Sequence, residues 1–251
     1  MRYFWIFLFL MVQWGTIQAE EKGASRGFLR PLVTISFDDG WISQYQEALP
    51  LLERYKMPST FYILTGSVDK PGYMTSKQIL ALEKAGHEIA AHTVNHPDLN
   101  TLPLSQAEVE ISDSKQFLEK ILGHSVLNFA APYGSASYQV IQVVKKYFKS
   151  NRVTSSGANT KNTLDLFRIK ALAVSASMPL DTVVRFLDEA VKNHTWAVLI
   201  YHQIDVSASQ MSISHEEFES HLKEIQKRNL TVVSIQKALE EVVPQIELKH
   251  E

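Results

Sequence analysis

From residue 32 onward the chain alternates short apolar runs with amphipathic helical stretches, and this alternation constrains the fold more than any other feature. Seven runs are rich in β-branched or aromatic residues and are predicted to be strands: 33–37, 60–64, 88–91, 127–131, 167–171, 196–201 and 231–234. Helices that join successive strands make those strands parallel, because each crossover returns the chain to the same end of the sheet. The sequence therefore predicts an α/β protein of about seven β-α units.

Polar residues at the ends of the predicted strands help to choose between two parallel architectures. Such a sheet is either open and doubly wound or closed into a barrel. In a barrel the carboxyl ends of all strands meet at one rim, whereas an open sheet brings fewer of them together. We favour the barrel, because it gathers the polar residues at the strand ends: Asp38, Asp39, His92, Tyr133 and His202.

The first 19 residues have the pattern of a secretory signal peptide. Arg2 precedes the apolar run 3–12, and Ala19 marks the predicted cleavage site. An uncleaved anchor is the alternative, but ten apolar residues fall short of the ~20 that span a bilayer. We expect an exported protein without a stable membrane span, located in the periplasm or cell envelope or secreted. The expected segments are a leader at 1–19, a lead-in at 20–31, one folded domain at 32–245 and a tail at 246–251.

Composition excludes several classes of function. The chain has 25 Lys and Arg against 27 Asp and Glu, and so lacks the basic excess that binds a nucleic-acid backbone. It contains no cysteine, which excludes disulfides, thiolate ligands and a thiol nucleophile. Stability must therefore come from the hydrophobic core and from any bound metal.

Two motifs carry groups suited to metal binding and proton transfer. Asp38 and Asp39 end an apolar strand before Gly40, so one carboxylate can bind a metal while its neighbour faces the water to be activated. An ordinary surface turn is the alternative. His92 and His96 are four positions apart, and a single helical turn would bring both imidazoles to one ion. Two histidines and one carboxylate leave positions open for water and substrate, as in catalytic zinc sites.

Two further residues stand at strand ends with weaker signals. Tyr133 lies between Pro132 and Gly134, and such a turn can aim a backbone N–H into a cleft, where it stabilises an oxyanion. His202 follows the apolar strand 196–201 and is suited to proton donation to a leaving group. A plain turn and a structural histidine are the alternatives.

In chain order, the segments TISFDDG, HTVNH, AAPYG and IYHQI resemble the motifs of the polysaccharide deacetylase family with the NodB-homology domain. The resemblance covers about residues 31–243, and the first two motifs are the specific ones. It implies a distorted β/α barrel with fewer than eight complete units. It also implies these roles: Asp38 as general base, Asp39, His92 and His96 as metal ligands, the Tyr133 N–H at the oxyanion and His202 as general acid.

The same resemblance predicts a hydrolase that uses a divalent metal ion, with zinc as the expected ion, to remove N-acetyl groups from an amino-sugar polymer. Chitin-like chains, peptidoglycan and poly-N-acetylglucosamine are equal candidates for this glycan partner. Two alternatives stay open, namely an O-acetyl esterase on the same scaffold and a glycan-binding barrel without activity. The retention of all the polar residues favours an enzyme, because binding alone does not need a base beside a metal ligand.

The sequence departs from the family pattern at Ala130, where many members have the arginine that orients the base. Arg168, on a later predicted strand, is the candidate replacement. The acid that often orients the catalytic histidine is not identifiable, and three candidates remain open: Asp165, Asp181 and Asp205.

Overall fold

The computed structural model describes residues 27–205, 207 and 209–247. The predicted signal peptide at 1–19 and most of the predicted lead-in lie outside these residues, so both stay predictions. The strands of the described part are β1 (Leu32–Asp39), β2 (Thr60–Ile63), β3 (Glu88–Ala91), β4 (Asn128–Ala130), β5 (Ser150–Arg152), β6 (Leu172–Ala173), β7 (Trp196–Tyr201) and β8 (Thr231–Val232). Its α-helices are α1 (Leu49–Tyr55), α2 (Ser76–Lys84), α3 (Leu104–Leu122), α4 (Tyr138–Tyr147), α5 (Leu180–Asn193), α6 (His215–Lys227) and α7 (Ile235–Glu247).

The strands form one parallel sheet in the order β5-β4-β3-β2-β1-β7-β6, and β8 pairs with the start of β1 beside this path. The seven strands of the path curl into a distorted half-barrel, with helices alternating along the chain. The predicted fold class is therefore confirmed. None of the helices in the described ranges is both long and apolar enough to cross a membrane.

Two details of the strand prediction were wrong. The run 167–171 is not a regular strand: Ile169 forms a single bridge to Arg152, and the next strand begins at Leu172. The segment Ser150–Arg152 is a strand, although it has no apolar residue. Its polar side chains are buried against partners that are distant in sequence, so hydrophobic periodicity gave no signal there.

The sheet buries apolar side chains on both faces. Outward-facing residues of the strands pack against α1 to α6, as Phe37 of β1 does against Phe218 of α6. Inward-facing residues form a second core that α7 closes at the bottom of the half-barrel. Successive side chains of a strand alternate between faces, so Asp38 shares the inward face with Leu32 at the opposite end of β1. This alternation places the first acid of the pair inside the half-barrel.

A buried histidine on the outer side of the sheet should make stability depend on pH. The Nδ1 atom of His87 accepts a hydrogen bond from the Ser59 N–H at 3.1 Å, and its ring lies edge-on to Phe61. Burial lowers the pKa of His87 to about 4, below its ordinary value of 6.5. The unfolded chain therefore binds the proton first, and the contribution of His87 to stability is lost as pH falls from 6.5 towards 4.

We expect this loss to reach at most about 3 kcal/mol of unfolding free energy, at ~1.4 kcal/mol per pH unit. His87→Gln keeps an acceptor for Ser59 but does not titrate, so its unfolding free energy should fall less across the same range. Denaturant unfolding of both proteins at a series of pH values, with a chelator present, measures the difference. If the unfolding free energies of the two proteins changed equally with pH, His87 would not be the titrating group.

Candidate active site

A cavity of about 350 Å³ opens at the carboxyl ends of the strands. It has the position in which parallel α/β proteins collect functional side chains. All six residues singled out in the sequence line it: Asp38, Asp39, His92, His96, Tyr133 and His202. The curl of the sheet thus brings together residues up to 164 positions apart in the chain (38 to 202).

Asp39, His92 and His96 form a group with the geometry of a metal site. One ligand atom from each lies within 4.8 Å of the others, and both histidine Nε2 atoms lie 3.6 Å from Asp39 Oδ1. This oxygen is buried and has no hydrogen-bond partner among the described residues. A buried carboxylate oxygen facing two imidazole nitrogens is satisfied by a cation. The residues therefore fit a divalent metal ion.

The orientation of His92 supports the same conclusion. Its Nδ1 lies 2.8 Å from the Ala130 carbonyl oxygen, and because a carbonyl only accepts, Nδ1 carries the hydrogen. The lone pair is then on Nε2, which faces Asp39. Burial lowers the pKa of His92, so the imidazole is neutral, as a metal ligand must be. A carbonyl that fixes the free nitrogen of a ligand histidine is a common arrangement around metals.

The two histidines do not converge by a helical turn, which corrects the sequence prediction. Residues 92–96 form an irregular loop in which Thr93 (φ 66°) and His96 (φ 59°) have left-handed backbones. The Thr93 hydroxyl accepts a hydrogen bond from the His96 N–H at 3.1 Å. Glu110 of α3 accepts hydrogen bonds from the N–H groups of Val94 and Asn95, both at 2.9 Å. The loop is thus held by side chains rather than by a helix.

Asp38 lies beside the group but is bound to an arginine instead. Nη2 of Arg152 on β5 donates to Oδ1 and Oδ2 of Asp38 at 2.5 and 2.6 Å, and both side chains are buried. Burial is the largest single effect on Asp38 and alone would raise its pKa, but the charges of Arg152, His92 and His202 together outweigh it, and the pKa lies below its ordinary value. Asp38 is therefore a carboxylate at neutral pH and can accept a proton.

Arg152 takes the place that sequence reasoning assigned to Arg168, and that assignment was wrong. Arg168 is exposed, outside the cavity. Arg152 is in register with Ala130, the position where many family members have arginine, but on the neighbouring strand β5. The guanidinium also lies over the ring of Tyr62, 5.0 Å from its centroid, in a cation–π contact. Arg152 was not found from the sequence because β5 consists of polar residues and has no hydrophobic pattern that marks it as a strand.

Tyr133 lies against His96, whereas His202 lies beside Asp38. Tyr133 has a left-handed backbone (φ 58°), and its exposed ring lies edge-on to His96, with the centroids 4.7 Å apart. A Cβ on the following Gly134 would lie 2.1 Å from the hydroxyl of Thr154, so only glycine fits this turn. His202 Nε2 lies 3.9 Å from Asp38 Oδ2. This separation leaves His202 free to act on a substrate rather than on Asp38.

The backbone of His202 is held by a residue that sequence reasoning missed. Gln44 donates from Nε2 to the carbonyl oxygens of Asp38 and His202, at 2.5 and 3.0 Å. His202 Nδ1 is buried and has no partner within the described part of the chain. Accordingly, none of the three acids proposed to orient it bonds to this nitrogen: Asp165, Asp181 and Asp205.

Four site residues have left-handed backbones although none is glycine: Asp39, Thr93, His96 and Tyr133. Such conformations cost about 1–3 kcal/mol each and concentrate at functional sites. The left-handed turn at Asp39 (φ 74°) separates the Asp39 carboxylate from the Asp38 carboxylate. Asp38 itself lies on the inward face of β1. The adjacent acids therefore have different surroundings, as the sequence predicted.

The fold and the site together define a class of protein: parallel α/β half-barrels that carry an Asp-His-His group suited to a divalent metal at their strand ends. Within this class, the chain belongs to the polysaccharide deacetylase family. The family model, described as polysaccharide deacetylase, matches residues 26–148. This range includes the metal group, Asp38 and Tyr133 but ends before Arg152 and His202.

Comparisons with individual proteins agree with the family. The chain is 34% identical to a peptidoglycan-N-acetylglucosamine deacetylase of Bacillus cereus over 116 residues, which are 46% of this chain and 52% of that protein. It is 29% identical to a poly-beta-1,6-N-acetyl-D-glucosamine N-deacetylase of Staphylococcus aureus over 133 residues, 47% of this chain and 46% of that protein. The chain thus spans about half the length of the curated relatives it matches.

A solved structure extends the similarity to most of the chain. The peptidoglycan deacetylase PdaC from Bacillus subtilis aligns with a TM-score of 0.58 over 88% of this chain and 96% of that one. The sequences are 21% identical, so this likeness shows the fold alone. The aligned part of the chain includes strands beyond residue 148, where the family match ends.

Proposed function

We propose that the protein is a metal-dependent hydrolase that removes N-acetyl groups from an amino-sugar polymer. The observation that carries the proposal is the division between the two adjacent acids: Asp39 faces two histidines, whereas Asp38 is held as a carboxylate by Arg152. Binding alone would not need a second carboxylate beside the metal group. Amide hydrolysis does, because the attacking water must lose a proton.

The residues take these parts in the reaction. Asp39, His92 and His96 would hold the ion, which when bound supplies Lewis acidity for the acetyl carbonyl and lowers the pKa of water. Asp38 accepts the proton of the attacking water. The Tyr133 N–H donates to the oxyanion of the tetrahedral intermediate. We take zinc as the ion, since two imidazoles and one carboxylate are the donors of open catalytic zinc sites.

The C–N bond breaks only if the departing sugar amine gains a proton. His202 lines the cavity on the side of Asp38 and is the group we propose to supply that proton. The proposed substrate is an N-acetylated glycan of the cell envelope or its surroundings, in keeping with the export that the first 19 residues predict. The B. cereus and S. aureus relatives carry the names of deacetylases for two different glycans, and either glycan fits the proposal.

The proposal is tested by measuring acetate released from a panel of acetylated glycans. The panel comprises N-acetylglucosamine oligomers, poly-N-acetylglucosamine, peptidoglycan and an O-acetylated xylan, each incubated with zinc and with a chelator. We expect release from at least one N-acetylated glycan with zinc and none with the chelator. Release from the xylan alone would favour an O-acetyl esterase. Binding to a glycan without release from any would favour a glycan-binding barrel.

The role of His202 predicts different effects on two substrates. General acid catalysis is worth roughly 100- to 10,000-fold where the leaving group needs a proton, and an aryl acetate needs almost none. His202→Ala should therefore slow deacetylation of an N-acetylglucosamine oligomer by that factor and aryl acetate hydrolysis far less. Asp39→Ala is the matched control and should slow both. Equal slowing of the two substrates in His202→Ala would exclude the general-acid role.

A further inference from the structure

Trp41 stands directly beside the metal group but has no part in the reaction described above. It lines the cavity and follows Gly40 in the turn after β1. The turn is joined to the segment before α2: Trp41 forms an antiparallel bridge with Tyr73, and the Ile42 N–H donates to the Gly72 carbonyl oxygen at 2.9 Å. The indole also stacks on the ring of Tyr73, with centroids 4.3 Å apart and planes 22° apart. The indole is therefore held in one orientation.

The indole N–H is directed at a metal ligand. Nε1 of Trp41 donates to Oδ2 of Asp39 at 3.0 Å. The other oxygen, Oδ1, is the one that faces His92 and His96. An indole nitrogen can only donate a hydrogen bond. Oδ2 of Asp39 therefore uses a lone pair to accept from Trp41, and that lone pair is not directed at the histidines. The two oxygens of Asp39 thus have separate partners.

We propose that Trp41 is a positioning residue that makes Asp39 a one-oxygen ligand. A carboxylate with both oxygens free can bind a cation through both, which occupies an additional coordination position. The Trp41 N–H prevents this and leaves that position for water and substrate. Partners of this kind orient ligands and typically change metal affinity or activity by 10- to 100-fold when they are removed. The inference rests on the proposed metal site but not on the hydrolysis of acetyl groups.

The test compares Trp41→Phe, which keeps an aromatic ring but loses the N–H, with Tyr73→Phe, which removes only a hydroxyl and keeps both the stacked ring and Trp41. The Kd for Zn²⁺ is measured by competition with a chromogenic chelator. Without the indole N–H, the Asp39 carboxylate is no longer held with Oδ1 towards His92 and His96, so we expect a Kd about 10- to 100-fold higher in Trp41→Phe. Tyr73→Phe keeps this hydrogen bond, so its Kd should be unchanged. A Kd in Trp41→Phe within threefold of the wild type, or an equal loss in Tyr73→Phe, would overturn the proposal.

The visible absorption of the protein saturated with Co²⁺ tests the one-oxygen ligation itself. Co²⁺ absorption depends on coordination number, so the spectrum of Trp41→Phe should differ from that of the wild type, and an identical spectrum would overturn this part. If Trp41→Phe does not fold, 3-benzothienylalanine at position 41 replaces only the N–H by sulfur, and the same outcomes apply. These readouts do not depend on acetate release, so loss of the proposed function and loss of this role are distinguishable.

Discussion

Replacing Arg152 by methionine should lower the free energy of unfolding by about 3–5 kcal/mol, the usual cost of leaving one buried charge of a pair without its partner. Arg152 is fully buried, and its Nη2 bonds to both oxygens of Asp38. Turnover should fall as well, by at least about 100-fold, because an unpaired buried Asp38 takes up a proton and can no longer act as a base. Denaturant unfolding in the presence of a chelator and initial rates of acetate release measure the two effects.

Two controls separate the charge effect from lost packing. The double variant Arg152→Met with Asp38→Asn removes both charges, so it should recover a large part of the lost stability but none of the activity. Arg168→Met makes the same chemical change at an exposed position and should leave both quantities unchanged. Wild-type stability in Arg152→Met would show that the buried pair does not support the fold. A loss in Arg168→Met equal to that in Arg152→Met would show that the choice of arginine is wrong.

The second large effect concerns the two adjacent acids. Asp38→Asn should keep the metal and lose turnover by roughly 100- to 10,000-fold, because an amide cannot accept the proton of the attacking water. Asp39→Asn should lose both metal and turnover, since it removes the one carboxylate of the metal group. Calorimetric titration with Zn²⁺ and acetate-release assays on the same preparations measure the two properties independently.

The control for this comparison is the double variant of Asp38→Asn with Arg152→Met, because Asp38→Asn alone leaves the buried arginine unpaired. If metal loss in Asp38→Asn merely reflects a weakened fold, the double variant should regain the metal. If Asp38→Asn binds zinc as poorly as Asp39→Asn in both backgrounds, the division between base and ligand is wrong.

The fold was predictable because most strands are marked by local composition. Apolar, β-branched runs such as those of β1 and β7 are buried on both faces and stand out without tertiary information. The helices α2 and α6 each begin with a capping box, at Thr75 and Ser214, which is likewise a signal of local sequence. β5 was missed for the opposite reason: Arg152 is stable inside the half-barrel only because Asp38 is there.

The site was predictable to the extent that its residues occur in short motifs. The motifs singled out six of the residues that line the cavity, but not the groups that hold them in place. Gln44, Glu110 and Trp41 are ordinary residues of turns and helices in the sequence, and each contacts the site through a hydrogen bond that local sequence does not specify. The expected helical turn between His92 and His96 was wrong because Glu110 and Thr93 stabilise an irregular loop instead.

By itself, the sequence determined the alternation of strands and helices, the family and the chemical types that meet at the strand ends. These properties follow from side-chain periodicity and from motifs a few residues long, which act locally. Only the tertiary structure decided which cation pairs with Asp38, which oxygen of Asp39 faces the histidines and how residues 92–96 turn. Each of these features depends on contacts between residues that are distant in the chain or held in strained conformations. Such contacts contribute to stability only in the folded half-barrel, where the residues are brought together and buried.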